Sequence, residues 1–333
     1  MGARLGIGAV VVLLLVFASG LWYLWKRPLS VYAIMNTRAL ASAGFAETSV
    51  ASPVGPQAVW TSGSGQTVVL LHGAGDSAGT WSSVVSKLTP RYRVVIPDLA
   101  GHGRSAPSSG PLSVGHVLTG LEAVMQSIPR DPAVIVGNSL GAWAALLYAR
   151  QHPDRVARLV LVNGGALVGD RPDLSLVPTT REEAAALMTQ LRDPSSEPIP
   201  GFVLDNVVLE AQRGPLARLA QTAAEMGQYV LDGKLKDVAV PVDLLWGESD
   251  KLFSLSYARR MMAQLPASRL TTIPACGHVP QQECPSRFGA ALSDVLMMPP
   301  PMPSPAETQA GQPTSTGEQA GPPKPKAEAG RQP

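Results

Sequence analysis

The chain has 333 residues, of which 45% are hydrophobic and 16% are charged, and its formal net charge at pH 7 is +2. This length suits one large folded domain with additional terminal segments. The small net charge and the few aromatic residues argue against a basic, stacking surface for nucleic acid. The two ends differ in composition from the rest, so a folded body is expected between them.

The N-terminal segment from Leu5 to Trp25 carries no charged residue. Its length is sufficient to cross the hydrocarbon core of a bilayer as a helix. Trp22 and Tyr23 fall where an interfacial aromatic belt would lie. We therefore predict a single-pass transmembrane anchor over residues 1–27, in a bacterial inner membrane. The alternative is a signal peptide cleaved near the small residues 18–20. Basic residues flank both ends, so the side that holds the body is not assigned.

The C-terminal segment, residues 298–333, is rich in Pro, Gly, Ala and Gln and contains no Leu, Ile, Val or aromatic residue. A segment of this composition cannot bury enough apolar surface to become ordered, so it predicts a disordered tail. Residues 28–60 are then expected to form a linker and leading strands, and residues 61–297 the folded domain.

Short apolar runs alternate with helical segments through the body. Strands are predicted at 67–71, 92–97, 133–136, 159–162, 242–246 and 269–273, and helices at 78–88, 113–128 and directly after Ser139. Continuous apolar strands separated by helices predict an α/β fold with a mainly parallel sheet covered by helices on both faces. Active sites of such sheets lie at the carboxyl ends of the strands.

One interval, residues 164–240, breaks this alternation because it contains no strong strand pattern. A capping box at Thr180 predicts a helix that continues to about Leu191. Further helices are expected near 202–212 and 215–231. We interpret the interval as an inserted helical cap that covers the site and shapes its pocket.

The sequence Gly137-Asn138-Ser139-Leu140-Gly141 lies between a predicted strand and a predicted helix. A G-x-S-x-G segment in this context is the sharp turn that raises a nucleophilic serine above a sheet. Its glycines are expected because neighbouring backbone must pass close to a strained residue. The alternative is an ordinary turn with Ser139 as a helix N-cap.

A serine nucleophile needs a base, and the base needs an orienting acid. Of five histidines, His72 and His102 lie in Gly-rich turns, where local structural hydrogen bonds are expected, and His116 and His152 lie in or beside helices. His278 lies on a loop after the strand 269–273, at the same edge as Ser139, so we predict it as the base. Asp250 is the predicted acid, with Glu248 as a second candidate. The N–H groups of Ala74 and Leu140 are the predicted oxyanion donors.

The chain from about 67 to 297 resembles the α/β-hydrolase superfamily. The matching motifs are His72-Gly73, Asp98 with Gly101-His102-Gly103 and Ser105, Gly137 to Gly141, Trp246-Gly247 with Asp250, and Gly277-His278. This resemblance implies the α/β-hydrolase fold and a serine hydrolase that cleaves an acyl ester through an acyl-enzyme.

Within that superfamily the layout is similar to membrane-anchored monoacylglycerol lipases and related bacterial lipases and esterases. The Gly-Asn-Ser segment also resembles C–C bond hydrolases of aromatic ring cleavage, but Val279 replaces the tryptophan that follows their histidine. Ser139 argues against epoxide hydrolases and dehalogenases, which use an aspartate. Thioesterase and cofactor-free haloperoxidase-like activities remain compatible with the same triad. A non-enzymatic scaffold would be expected to have a broken triad.

The only cysteines, Cys276 and Cys284, bracket His278. In an oxidising compartment a disulfide would fix this loop, whereas in a cytosolic setting both residues would be free thiols. No spacing of Cys or His indicates a metal site, and no cofactor is expected. The expected partners are a small-molecule or lipid ester and a membrane, and the oligomeric state is not assigned.

Overall fold

The centre of the fold is an eight-stranded sheet. A computed structural model describes residues 2–169 and 175–302. The strands are β1 Ala46–Val50, β2 Gln57–Ser62, β3 Thr67–Leu71, β4 Arg93–Pro97, β5 Ala133–Asn138, β6 Val156–Val162, β7 Val242–Gly247 and β8 Ser268–Ile273. Their order is β1-β2-β4-β3-β5-β6-β7-β8. Strand β2 pairs antiparallel with β1 and β4, and the remaining pairs are parallel. The predicted, mainly parallel sheet is confirmed.

Helices cover both faces of this sheet. They are α1 Gly2–Lys26, α2 Pro28–Ser42, α3 Val114–Ser127, α4 Leu140–Gln151, α5 Arg181–Leu191, α6 Gly201–Arg213, α7 Pro215–Ala220, α8 Leu255–Met262, α9 Pro280–Glu283 and α10 Pro285–Met297. Helices α3, α4 and α8 contribute to the core on one face, and α2 and α10 to the core on the other.

Strand β3 shows why the strands are apolar throughout. Its residues Val69 and Leu71 belong to the core on the α3 side, and Val68 and Leu70 belong to the core on the α10 side. Successive side chains of a strand point to opposite faces, so a sheet covered on both faces buries every position. All four side chains are completely buried.

Two predicted helices are shorter than expected. The segment predicted as a helix at 78–88 forms two 3-10 turns, Ala78–Trp81 and Val85–Lys87. Gly79 and the neighbouring serines have low helix propensity, and short 3-10 turns suffice to bury Trp81. The helix expected over 215–231 ends as an α-helix at Ala220 and changes to 3-10 geometry, because the Thr222 amide bonds the Leu219 carbonyl and a 3-10 helix follows at Ala223–Tyr229.

The segment 28–60, expected to form a linker and leading strands, contains a helix before the strands. Residues 28–42 form helix α2, whose Leu40 is completely buried in the core. Strands β1 and β2 then add to the sheet, so the folded unit begins well before residue 61. A proline at the first helical position suits the start of α2, and the apolar contacts of Leu40 hold it on the body.

Among the described residues, no single helix has the length and apolar character needed to cross a membrane. Helices α1 and α2 meet these criteria only as a pair, and they are bent by 98° at the break between them. The single spanning helix expected over residues 1–27 is therefore not established by the structure.

Between β6 and β7 the described residues form α5, α6, α7 and short 3-10 turns, with no strand. Helix α5 begins as predicted, because the Thr180 hydroxyl accepts a hydrogen bond from Glu183 N at 3.1 Å. The Glu183 carboxylate reaches Thr179 rather than the Thr180 amide, so only half of the capping box forms. Residues 170–174 and 303–333, which include most of the predicted tail, lie outside the described residues.

Candidate active site

Ser139 lies in a strained turn between β5 and α4. Its backbone angles are φ 53° and ψ −115°, a conformation that a residue with a side chain rarely adopts. A Cβ atom on Gly137 would lie 2.4 Å from the Gly141 carbonyl oxygen, and one on Gly141 would lie 2.4 Å from the Leu71 carbonyl oxygen. The steric reason predicted for both glycines is confirmed.

A third glycine, Gly164, supports the same turn and was not identified from the sequence. A Cβ atom there would lie 2.4 Å from the Ser139 Cα. Gly164 follows β6, and the Ser139 amide donates to the carbonyl of Val162 at the end of that strand. The turn is therefore packed against backbone from both sides.

The predicted base and acid lie together at the carboxyl ends of β8 and β7. His278 Nδ1 is 2.8 Å from Asp250 Oδ2, and both side chains are buried. Asp250 Oδ1 accepts hydrogen bonds from the amides of Leu252 and Phe253. A carboxyl group that receives two amide hydrogen bonds in this way is suited to accept a further one from a proton on His278 Nδ1. Glu248, the second candidate, is exposed and bonds Thr272 instead.

Asn163 orients the predicted acid, a role that sequence reasoning missed. Its Nδ2 donates to Asp250 Oδ2 at 2.9 Å, and its Oδ1 accepts from Gly247 N at 2.8 Å. The side chain is fully buried and its φ is 43°. Asparagine tolerates this left-handed conformation better than most residues, which was the available sequence signal.

Asn138 joins the serine turn to the loop of the predicted base. Its Nδ2 donates to the His278 carbonyl at 2.9 Å and to the Val162 carbonyl at 3.0 Å. Its Oδ1 accepts from Gln281 Nε2 at 3.1 Å. The residue before the serine thus fixes the position of His278 through a buried amide network.

Ser139, His278 and Ala74 line one cavity of about 400 Å³. Among the described residues, the Ser139 hydroxyl has no hydrogen-bond partner, and the amides of Ala74 and Leu140 donate no hydrogen bond. Leu140 is the first residue of α4, where unpaired amides face outward from the helix start. Ser139 is half-buried at the cavity, and neither its hydroxyl nor these two amides is engaged by another described group.

The cavity is mainly apolar, and its described lining contains two carboxylates, of which Glu210 pairs with Arg27 at 3.7 Å. The cap contributes apolar residues, which are Leu176, Pro178, Leu187, Met188, Leu191, Val207, Ala211, Pro215 and Leu216. The ionisable residues besides His278 are Asp76 and Glu210, and no Lys or Arg occurs among the described lining residues. Burial raises the pKa of Asp76 to about 6, partly offset by hydrogen bonds from Ser77 N and Thr80.

Helix α2 forms part of the cavity wall through Leu29, Ser30 and Ala33. The Leu29 amide donates to Asn206 Oδ1 of α6 at 3.0 Å. At the end of α1, Trp25 stacks on Phe202 of α6 with ring centroids 4.7 Å apart. These contacts fix the N-terminal helices beside the cavity, which the sequence did not indicate.

The other four histidines lie away from the cavity. His72 Nε2 accepts from the Leu99 amide at 2.9 Å, and burial lowers the His72 pKa to about 4. Burial lowers the pKa of His102 to about 3. His116 caps α3 and His152 ends α4. Their structural roles agree with the sequence interpretation.

Cys276 and Cys284 form a disulfide, with Cα atoms 6.0 Å apart, that brackets His278. Of the two states left open by the sequence, the structure contains the paired one. In the part of the chain that the structure describes, no group of three or more His, Cys, Asp or Glu side chains is arranged to hold a metal ion.

Residues 68–291 match the model of the alpha/beta hydrolase family. A pimeloyl-[acyl-carrier protein] methyl ester esterase of Aromatoleum aromaticum is 32% identical, over 69% of this chain and 97% of that protein. An uncharacterized protein of Mycobacterium tuberculosis is 30% identical, over 68% of this chain and 74% of that protein. A solved membrane phospholipase A is 27% identical, with a TM-score of 0.71, over 88% of this chain and 97% of that one.

Proposed function

Because the chain belongs to the alpha/beta hydrolase family, we propose that it is a serine hydrolase that cleaves a neutral, lipid-like acyl ester. The observation that carries this proposal is the apolar cavity that Ser139 and His278 share, whose other ionisable side chains are Asp76 and Glu210. Apolar walls suit an acyl chain. Asp76 has no lysine or arginine beside it in the described lining, and Glu210 is paired at 3.7 Å with Arg27, which lies outside the lining. An anionic substrate would therefore meet carboxylates rather than an available cation.

The same charge distribution weighs against the C–C bond hydrolase alternative. A relative from Burkholderia cepacia, 26% identical over 70% of this chain, is by its name a 2-hydroxy-6-oxo-6-phenylhexa-2,4-dienoate hydrolase. A dienoate carries a carboxylate, which would have to enter beside Asp76 or Glu210 without a lysine or arginine from the described lining. An ester of glycerol or another neutral alcohol meets no such penalty.

In the proposed reaction, Ser139 Oγ attacks the acyl carbon while His278 Nε2 takes its proton. Asp250 holds the imidazole in the tautomer that leaves Nε2 free. The oxyanion of the tetrahedral intermediate accepts hydrogen bonds from the amides of Ala74 and Leu140. His278 then protonates the leaving alkoxide, and water releases the acyl group by the same steps.

We propose further that α1 anchors the enzyme to a bacterial inner membrane, with the cavity close to the bilayer. Side chains from Val10 to Trp25 of α1 are exposed although they are almost all apolar, and lipid is the environment that suits such a surface. Trp25 and Leu29 attach this end of the helices to the cap beside the cavity. The similarity to a membrane phospholipase A supports the same placement.

Labelling with a fluorophosphonate probe tests the nucleophile. We expect the folded full-length protein to be labelled and Ser139→Ala to be unlabelled. Ser64→Ala is the matched control because Ser64 is an exposed loop serine at the other end of the sheet. Its labelling should equal that of wild type. A folded wild-type protein that resists the probe would contradict the proposal.

A substrate panel tests the chemical class. Neutral monoacylglycerols and nitrophenyl esters of increasing chain length are compared with a ring-cleavage dienoate and with a monoester that carries a free carboxylate. We expect hydrolysis of the neutral esters and little turnover of both anions. Glu210→Gln should improve the anionic ester relative to the neutral one, since it removes one negative charge from the lining and leaves its ion-pair partner Arg27 without that carboxylate. Preference for the dienoate would favour the C–C bond hydrolase instead.

A further inference from the structure

The end of α5 touches both loops that carry the predicted acid and base. We call residues 190–196 the α5 end segment. The His278 amide donates to the Leu191 carbonyl at 2.7 Å, and the Lys251 amide donates to the Gln190 carbonyl at 3.0 Å. The approach is close, because a Cβ atom on Gly277 would lie 2.2 Å from the Leu191 carbonyl oxygen. The cap thus meets the catalytic loops backbone to backbone.

A side chain, Glu283, reinforces this contact. Its Oε2 accepts from the Gly277 amide, directly before His278, at 2.6 Å. Its Oε1 accepts from the Asp193 amide at 2.8 Å and from the Ser196 hydroxyl. The Glu283 side chain is only 8% exposed, so water competes little for these bonds. One carboxylate therefore joins the base loop to the α5 end segment.

A second side chain makes the corresponding connection to the acid loop. Asp193 Oδ2 accepts from the hydroxyl of Ser249, the residue before Asp250. Both Asp193 and Glu283 thus bond a residue immediately before a member of the predicted triad. Glu283 itself is held in place, because it ends α9 and precedes Cys284 of the disulfide.

We infer that Glu283 is a positioning residue: its carboxylate ties the peptide before His278 to the α5 end segment and thereby keeps the imidazole on Asp250. This inference rests on the proposed function, in which His278 is the base. All the groups bonded to the Glu283 carboxylate are donors, so a carboxylate suits the site and an amide does not. A glutamine would set its NH₂ group against the Gly277 or the Asp193 amide. The hydrolase chemistry itself uses no atom of Glu283.

Glu283→Gln tests the inference in the full-length protein. We expect kcat on a neutral ester to fall by about 10- to 100-fold, as for a misplacement of up to about 1 Å, with little change in KM. The far-downfield proton resonance of the His278–Asp250 hydrogen bond should weaken or disappear. Glu197→Gln is the matched control, because it makes the same chemical change on an exposed residue of the adjoining chain. It should behave as wild type in both measurements.

The resonance separates this inference from the proposed function, because it does not depend on ester hydrolysis. If folded Glu283→Gln keeps the resonance, or if its kcat equals that of wild type, the inference is overturned. An inactive, unlabelled wild-type protein overturns the proposed function instead. If Glu283→Gln does not fold, Ser196→Ala with Ser249→Ala removes two hydroxyl bonds of the same connection. That double variant should then lower kcat without changing KM, and an unchanged kcat also overturns the inference.

Discussion

Substitution of Gly164, which follows β6, by alanine should displace Ser139, the proposed nucleophile. The Gly164 backbone is not in the left-handed region, so alanine is conformationally acceptable and only space is at issue. The added Cβ would lie 2.4 Å from the Ser139 Cα, against at least 3.4 Å for an ordinary contact. The backbone of Ser139 must therefore retreat by about 1 Å, which predicts a loss of about 10²-fold in acylation rate.

Overpacking of this kind also costs about 1–3 kcal/mol of stability, because the neighbouring atoms belong to backbone and cannot rotate away. For a domain of this size, each kcal/mol lowers the melting temperature by about 2–4 °C. The rate is measured by fluorophosphonate labelling and the stability by thermal unfolding. Gly227→Ala is the control, since nothing lies within 4 Å of a Cβ there. If Gly164→Ala had the labelling rate and the melting temperature of wild type, the steric argument would be refuted.

Other predictions concern the groups around the site. Asn163→Ala removes one donor from Asp250 Oδ2 and the acceptor of the buried Gly247 amide, so urea unfolding should show a loss of about 1–3 kcal/mol, together with a lower kcat; unchanged values would contradict its orienting role. Burial raises the pKa of Asp76 to about 6. Asp76 therefore makes its full contribution to folding stability below about pH 4, where it is protonated, and this contribution is lost as the pH rises through 6. The unfolding free energy of Asp76→Asn relative to wild type should then rise by about 1–2 kcal/mol from about pH 4 to pH 7.5, and a difference that does not vary with pH would be evidence against the shift. Cys276→Ala with Cys284→Ala should cost about 2–3 kcal/mol; alkylation of two thiols in the unreduced wild-type protein would show that the disulfide is absent.

The sheet could be predicted because its strands are continuous apolar runs, and β3, for example, has the predicted bounds 67–71. The serine turn could be predicted because a G-x-S-x-G segment between a strand and a helix is a recognisable local pattern, although the backbone that requires Gly141 is the Leu71 carbonyl of β3. His278 and Asp250 could be chosen because parallel strands end at one edge of the sheet. Their catalytic roles, like those of Ala74 and Leu140, remain predictions until activity is measured.

The remaining features depend on contacts between distant parts of the chain. Asn163 and Asp250 are 87 residues apart, and nothing in the local sequence of either indicates their hydrogen bond. Glu283 and Asp193 are similarly distant, and both look like ordinary surface acids in the sequence. Helix α2 is difficult to predict, because its place on the body depends on tertiary contacts such as that of the buried Leu40.

The position of α2 has a consequence for inhibitor selectivity. Leu29, Ser30 and Ala33 line the cavity, yet they precede residues 68–291, the part of the chain that matches the hydrolase family. A compound that reacts only with Ser139 engages machinery that many hydrolases of a cell share. A compound that extends to α2 engages side chains that the shared catalytic unit does not supply. Libraries built to vary the group facing α2 should therefore separate this enzyme from hydrolases with a similar catalytic core.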